Sequence, residues 1–488
     1  MVKPKFKKPK SGKITNFKKK TTEKQVPDKF TELASEGISN NAAVSRAKEI
    51  QQFNPESAKH EVARQKLKKQ KARLEEGIVK TAEAQILNVE DAGYIKTSDG
   101  AATYNIKQSE IRDAVDLATA SKSFELLLEF GPYRFDYGIN GRDLIIGGRR
   151  GHIGVIDWMT KDLVTEKNAL ETVNDVAFLH VSTIYATAQR RWVHIYDEQG
   201  VEMHCMKKFS EPKLLEFLPR HLLLVCSCST GFLHYLDVTS GNVVASYRMK
   251  EEGNPHSIAR NNANGVIISG GTSGQVSMWS PMVKESLVSI KAHTGTIRGI
   301  AVENFGNYFV TAGNDQRVKL FDMRTYKQVY SCNMKGQIAS VSLSQKNCLA
   351  VGFGQHVQMF ENVIDNGIVT PYLSHFVGGD VRQVQFCPHE DILGIGHSRG
   401  FSSIIVPGSG DPDIGGIVHN PFESKAQRRE REVKMLLDKL QPEMIALDPS
   451  QINRVKKQKE MVEDEKVPKA IRVKPDYSWP LLSRFKRY

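Results

Sequence analysis

The sequence predicts an all-β fold: a seven-bladed β-propeller with helical and disordered extensions at both ends. Three observations predict it. Paired apolar strands joined by a glycine-rich or polar turn recur about every 35–45 residues through the middle of the 488-residue chain. Each pair is preceded by one more alternating strand, and each but the last is followed by another, so a unit holds four short strands and there are seven units. Finally, the last unit lacks an outer strand, while the strand-like segment "SKSFELLLEFG" (121–131) has no unit of its own. A ring is closed when both chain ends share one sheet, so 121–131 is expected to supply the missing strand.

The units are read off in order. Their central pairs are "DLIIGGRRGHIGVIDW" (143–158), "TIYATAQRRWVHIYD" (183–197), "LLLVCSCSTGFLHYLD" (222–237), "GVIISGGTSGQVSMWS" (265–280), "YFVTAGNDQRVKLFD" (308–322), "CLAVGFGQHVQMFE" (348–361) and "DILGIGHSRGFSSIIV" (391–406). The fifth is the least ambiguous. His293, Thr311 and Asp315 stand where WD repeats keep their hydrogen-bonded His, Ser/Thr and Asp, and Phe321 stands six residues after Asp315, where tryptophan is usual. A buried Asp that accepts from backbone and imidazole would pin the blade, so these four residues are expected to be structural. Domain boundaries follow: a disordered basic arm over 1–40, a mostly helical extension over 41–120, a WD-repeat propeller over 121–410, and a C-terminal extension over 411–488.

Charge is distributed unevenly along the chain. Residues 1–80 hold 21 Lys+Arg against 9 Asp+Glu, and residues 449–488 hold 11 against 5, out of a net charge of +13. The remaining middle is therefore mildly acidic, and basic ends on such a body point to a polyanion partner reached by flexible arms. Lys3, Lys5, Lys7, Lys8, Lys10, Lys18, Lys19 and Lys20 lie in a stretch with no acid, interleaved with Phe6 and Phe17. A like-charge block so poor in apolar residues does not fold alone. Its lysines are candidates for RNA or ribonucleoprotein contact, as are Arg454, Lys456, Lys457 and Lys459 near the other end. The segment "AKHEVARQKLKKQKARLEE" (58–76) reads as a charged helix in which Val62, Leu67 and Leu74 are too few to make a stripe.

After the last unit, Pro421 and Pro442 bracket a helix expected over about 422–440. Val433, Leu436, Leu437 and Leu440 recur at i, i+3, i+4 and i+7 and are candidates for protein docking. Arg428, Arg429 and Arg431 occupy the half without an apolar stripe and are candidates for reaching phosphate or acidic side chains. The alternative is a surface helix laid back on the propeller.

Enzyme chemistry finds little support. No phosphate-binding G-x-x-x-x-G-K-[ST], H-E-x-x-H or paired metal-ligand spacing occurs. The six cysteines form no C-x-x-C pair and lie in strand-like sequence, as small buried residues of a reducing compartment would. No catalytic residue, cofactor, metal or small-molecule substrate is expected. No apolar run reaches the length of a membrane span and no secretory signal is evident, so the chain is expected to be intracellular and soluble.

Three blocks carry a family resemblance: "EDAGYIKTSDGAATYNIKQSEI" (90–111), "LEFGPYRFDYGINGRDLIIGGRRGHIGVIDW" (128–158) and "NPFESKAQRREREVKMLLDKLQPEMIALDP" (420–449). They resemble the eukaryotic nucleolar family of WD-repeat protein 46, over roughly residues 85–488, and the basic arm matches in character only. That resemblance implies a non-catalytic scaffold of the small-subunit processome, located in the nucleolus and supporting pre-ribosomal RNA processing toward 18S RNA. Its implied partners are processome proteins, other propeller subunits among them, with pre-ribosomal RNA and the U-three small nucleolar RNA. The alternative is a WD-repeat adaptor of another complex, such as a substrate receptor for ubiquitin ligation.

Overall fold

A computed structural model describes residues 60–84, 93–95, 102–249, 253–411 and 420–447. The chain divides into two compact units, residues 1–89 and 90–488. In the first, the described part is a helix, α1 (Glu61–Ala84), whose Val62 is exposed, as expected of a helix without an apolar stripe. The second unit holds short helices α2 (Gln108–Ala114), α3 (Leu117–Ala120) and α4 (Val363–Asn366), a longer α5 (Lys425–Leu437), and seven four-stranded antiparallel sheets.

Blades 1 to 6 span 133–168, 173–206, 212–248, 255–291, 297–333 and 338–376, each with its strands in chain order from the innermost outward. Blade 7 combines 381–405 with the strand Phe124–Leu127 from before blade 1. Phe124 pairs with Ser403 and Leu127 with Gly400. The innermost strands of neighbouring blades pack side by side, and that of blade 1 meets that of blade 7. The ring closes between first and last blade, so the apolar face of each is covered by its neighbour.

Burial follows position in the blade. Second strands such as Leu349–Phe353 and Leu223–Cys228 are buried at every residue, because a sheet flanks them on each face. The outer strand Lys327–Asn333 is exposed at nearly every residue. The apolar cores lie between blades: one joins Leu233 and Tyr235 of blade 3 to Ile267 and Trp279 of blade 4 and Phe309 of blade 5. At the closure, Phe124 and Phe135 both pack on Phe401, with ring centroids 5.9 and 5.0 Å apart. Gly400 has φ +144°, and a Cβ there would collide with the Leu126 carbonyl, so the closing strand can approach only a glycine.

The extensions differ in detail from the sequence reading. Over 102–120 the helices are short and separated by extended residues at Lys107, Val115 and Asp116. Gln108 explains why: its amide donates to the Ile405 carbonyl at 2.9 Å and accepts from the Ile405 N–H at 3.0 Å, tying the segment to blade 7. Helix α5 is shorter than 422–440. Ser424 caps it by accepting from the Gln427 N–H while Gln427 Oε1 accepts from the Ser424 N–H, which sets the start at Lys425. At the other end the Leu440 N–H donates to the Arg220 carbonyl of blade 3 at 3.0 Å instead of continuing the helix. Of the six cysteines, Cys226, Cys228, Cys348 and Cys387 are buried, Cys205 and Cys332 half-buried, and all are free thiols.

Candidate functional site

Residues 420–447 form a strap across the face where the innermost strands end. Its contacts fall on the loops there, and they move from blade to blade. At blade 1, Arg142 donates to the Pro421 carbonyl at 3.1 Å, and Asn140 Nδ2 donates to Glu423 at 3.2 Å. Arg431 closes this group, with Nη2 on Glu423 at 2.9 Å and Nη1 on Asn140 Oδ1. At blade 2, His180 Nε2 lies 3.6 Å from Glu432. At blade 3, Lys439 donates to Asp237 at 2.7 Å and to Thr239 at 2.6 Å. Burial alone would raise the Asp237 carboxyl, but the bonds from Lys439 and Thr239 outweigh it and hold it below the ordinary range. At blade 4, Ser280 Oγ donates to the Ile445 carbonyl at 2.6 Å and Asn264 to that of Leu447 at 3.2 Å. Ile445 is itself buried in the core shared by blades 3 to 5.

This docking turns the polar face of α5 inward and its apolar stripe outward. Arg428, Arg431, Glu432, Met435 and Lys439 recur at helical spacing and make the inner face, with Met435 packed on the core between blades 2 and 3. Arg431, expected to reach outward, is only 5% exposed, and Arg428 leans on Glu423 at 3.5 Å. The correction has a physical reason: the loops beneath present Asn140, His180 and Asp237, so the polar face of the helix is the complementary one. Arg429 remains exposed. Val433, Leu436 and Leu437 point to solvent, Leu437 at 79% exposure, and Leu440 is the least exposed of the stripe. Sequence reasoning did not find Glu423, Asn140, His180, Glu432, Asp237 or Lys439. The one signal was the even balance of charge over residues 421–448, six Lys+Arg against six Asp+Glu.

Blade 5 brings three of its four expected residues into one network. His293 Nδ1 meets Asp315 at 2.9 Å, its Nε2 meets Thr311 Oγ1 at 2.9 Å, and Asp315 also accepts from the Arg317 N–H at 3.3 Å. Burial lowers the His293 pKa against the pull of Asp315, so the imidazole bridges as a neutral ring. Phe321 makes no polar bond and instead stacks on Phe309 at 5.2 Å. Elsewhere the same position is served differently: Trp279 Nε1 donates to Ser269 at 3.0 Å, and Gln189 donates to the Tyr196 hydroxyl at 2.7 Å.

The lysines at positions 3, 5, 7, 8, 10, 18, 19 and 20, with Arg454, Lys456, Lys457 and Lys459, lie outside the described residues. Among the described residues one group has metal-ligand composition, His194, Glu202 and Cys205. Its geometry is poor for an ion, because Glu202 lies on His194 Nδ1 at 3.4 Å and Cys205 on Nε2 at 3.9 Å, and burial holds the thiol protonated.

Two family models match the chain: the BING4CT (NUC141) domain over residues 371–448 and the WD domain, G-beta repeat over 284–322. The first takes in blade 7 and the strap; the second takes in the His293 network. The chain is 43% identical over 427 residues to WD repeat-containing protein 46 of Caenorhabditis elegans, spanning 87% of this chain and 73% of that one. To WD repeat-containing protein 46 of Homo sapiens it is 42% identical over 397 residues, covering 80% and 65%. To U3 small nucleolar RNA-associated protein 7 of Saccharomyces cerevisiae it is 36% identical over 423 residues, covering 83% and 76%.

Proposed function

The chain belongs to the family of WD repeat-containing protein 46, and from that membership we propose that it is a non-catalytic scaffold subunit of the nucleolar small-subunit processome. In this role it supports processing of pre-ribosomal RNA toward 18S RNA by holding processome proteins and RNA together. The yeast relative's name, which ties that protein to the U3 small nucleolar RNA, supports the RNA side of the reading.

One observation carries the scaffold side. The strap is anchored by polar bonds and by Ile445, yet it presents Val433, Leu436 and Leu437 to solvent. A helix that has already docked and still shows an apolar stripe is a surface for a partner protein. The basic ends, with Arg429 beside the stripe, supply phosphate contacts whose strength falls with salt. The test is crosslinking of the tagged protein to RNA in cells, followed by sequencing. Reads concentrated on the 5′ region of the pre-ribosomal RNA or on the small nucleolar RNA are expected; reads no denser there than on messenger RNA would overturn the reading.

A further inference from the structure

The face opposite the strap is where the innermost strands begin. The second residues of these seven strands, in blade order, are Arg134, Asn174, Lys213, His256, Arg298, Ala339 and Arg382. Four carry a permanent positive charge and a fifth is a histidine. They hold the same place in seven sheets around one channel, so their side chains form a ring at its mouth.

Contacts between blades show the convergence. Lys213 of blade 3 lies 3.2 Å from His256 Nδ1 of blade 4, and Arg134 of blade 1 lies 3.2 Å from Asp175 of blade 2. Burial and then the charges of Lys213, Arg298, Arg382 and Arg134 push His256 down to about 4, so it is neutral and can accept from Lys213. Lys213 is lowered by burial and by Arg134, Arg382 and Arg298, which come from blades 1, 7 and 5.

Among the described residues, the ring holds more cations than carboxylates. Asp175 answers Arg134. The next carboxylates along the strands, Asp136 and Glu216, lie deeper, where Arg260 reaches Glu216 at 3.4 Å. Among the described residues, the Nε atoms of Arg134 and Arg298 are buried without an acceptor. Unpaired buried donors cost stability, and such groups persist where a ligand completes them. Around the mouth, on the same face, exposed Arg149 and Arg150 of blade 1, Arg190 and Arg191 of blade 2 and Arg399 of blade 7 line three consecutive blades.

We infer that the channel mouth opposite the strap is a phosphate seat for single-stranded RNA. One phosphate would sit among Arg134, Lys213, Arg298 and Arg382, and the flanking chain would run over the arginines of blades 7, 1 and 2. Guanidinium forks suit phosphate oxygens, and the exposed phosphates of a single strand can reach buried ones. The identity of the ligand rests on the RNA reading above; the charge of the ring does not.

The test measures binding of a short single-stranded RNA to the full chain by fluorescence anisotropy across a salt series, for the native protein and for Arg298→Gln/Arg382→Gln. The double variant is expected to bind on the order of tenfold more weakly, with the salt slope smaller by about one to two. Its melting temperature should be unchanged or higher, since among the described residues Arg298 Nε has no acceptor to leave behind. Lys213→Gln, read the same way, serves as the second variant should the first melt early. Unchanged affinity and slope in both variants would overturn the seat and leave all RNA contact to the chain ends. Arginine-dependent binding of inorganic tripolyphosphate with no change in RNA affinity would overturn the RNA assignment. Neither outcome touches the crosslinking result in cells, so failure of the seat and failure of the scaffold reading are distinguishable.

Discussion

Arg431 and Leu437 sit six residues apart on one helix, and their fates are opposite to those their chemistry suggests. The arginine is buried against Glu423, whose side chain is itself nearly inaccessible, while the leucine is among the most exposed apolar residues of the protein. Arg431→Ala would leave the buried Glu423 carboxylate with only Asn140 and the more distant Arg428, and is expected to cost about 3 kcal/mol, measured by urea denaturation. Leu437→Ser should change stability by less than about 0.5 kcal/mol in the same assay. In blade 5, Asp315→Ala removes the acceptor of both His293 and the Arg317 N–H, with an expected loss of about 2 kcal/mol. That network was legible in the sequence, because the spacing of His293, Thr311 and Asp315 is a property of the repeat. The Arg431–Glu423–Asn140 group was not, since its partners lie almost 300 positions apart in the chain.

Two elements hold the propeller from outside its repeat, the closing strand and the strap. A chain beginning at residue 135 loses Phe124 and Leu126 from beside Phe401, leaves the edge of Gly400–Ile405 unpaired, and also removes Tyr133 and Arg134 from the first strand of blade 1. A sharply lower melting temperature is expected, and an unchanged one would mean that the ring does not depend on its closure. On the strap, Ile445→Ala empties a site lined by His221 and Gly265 and should cost about 2 kcal/mol. Replacing Leu436 and Leu437 with Asp should leave the melting temperature intact while removing protein partners from an affinity-purified complex. If those partners were retained, the outward stripe would not be the docking surface. The strand at 121–131 could be foreseen because an incomplete blade and an orphan strand match one another. The landing place of the strap could not, because loop residues of four blades define it.

For the molecule as a whole, the two faces of the ring differ: one is crossed by the strap, the other opens on a ring of cations. The buried histidines give the whole a defined response to pH. His221 and His256 are held at about 4, chiefly by burial, and His180, His293, His375 and His397 are lowered as well. Unfolding returns each toward its ordinary value near 6.5, so below that pH the unfolded chain binds more protons and stability falls. Glu216, raised to about 7 by burial, opposes this, because it is protonated when folded and ionised when unfolded between about 4.5 and 7. Asp136 is raised in the same sense. The histidines outnumber these carboxylates, so the melting temperature at pH 5 should lie below that at pH 7. His221→Gln should narrow the gap, and a higher melting temperature at pH 5 would contradict the assignment.

What the sequence determined by itself is what local pattern can specify. Strand alternation, turn glycines and the spacing of the repeat settle that there are seven blades, which segments build them, and that a WD-type network sits at His293. Tertiary structure decided everything that depends on a meeting of distant surfaces. Helical periodicity defines an apolar stripe and a charged face on α5, but not which one turns inward; the polar loops of blades 1 to 3 chose the charged one. The cations at the channel mouth lie roughly one blade or more apart in the chain, each unremarkable in its own strand, and only closure of the ring gathers them. A periodic sequence encodes its repeat because the same local energetics recur in each unit, whereas a site assembled across units depends on coordinates that no window of the sequence contains.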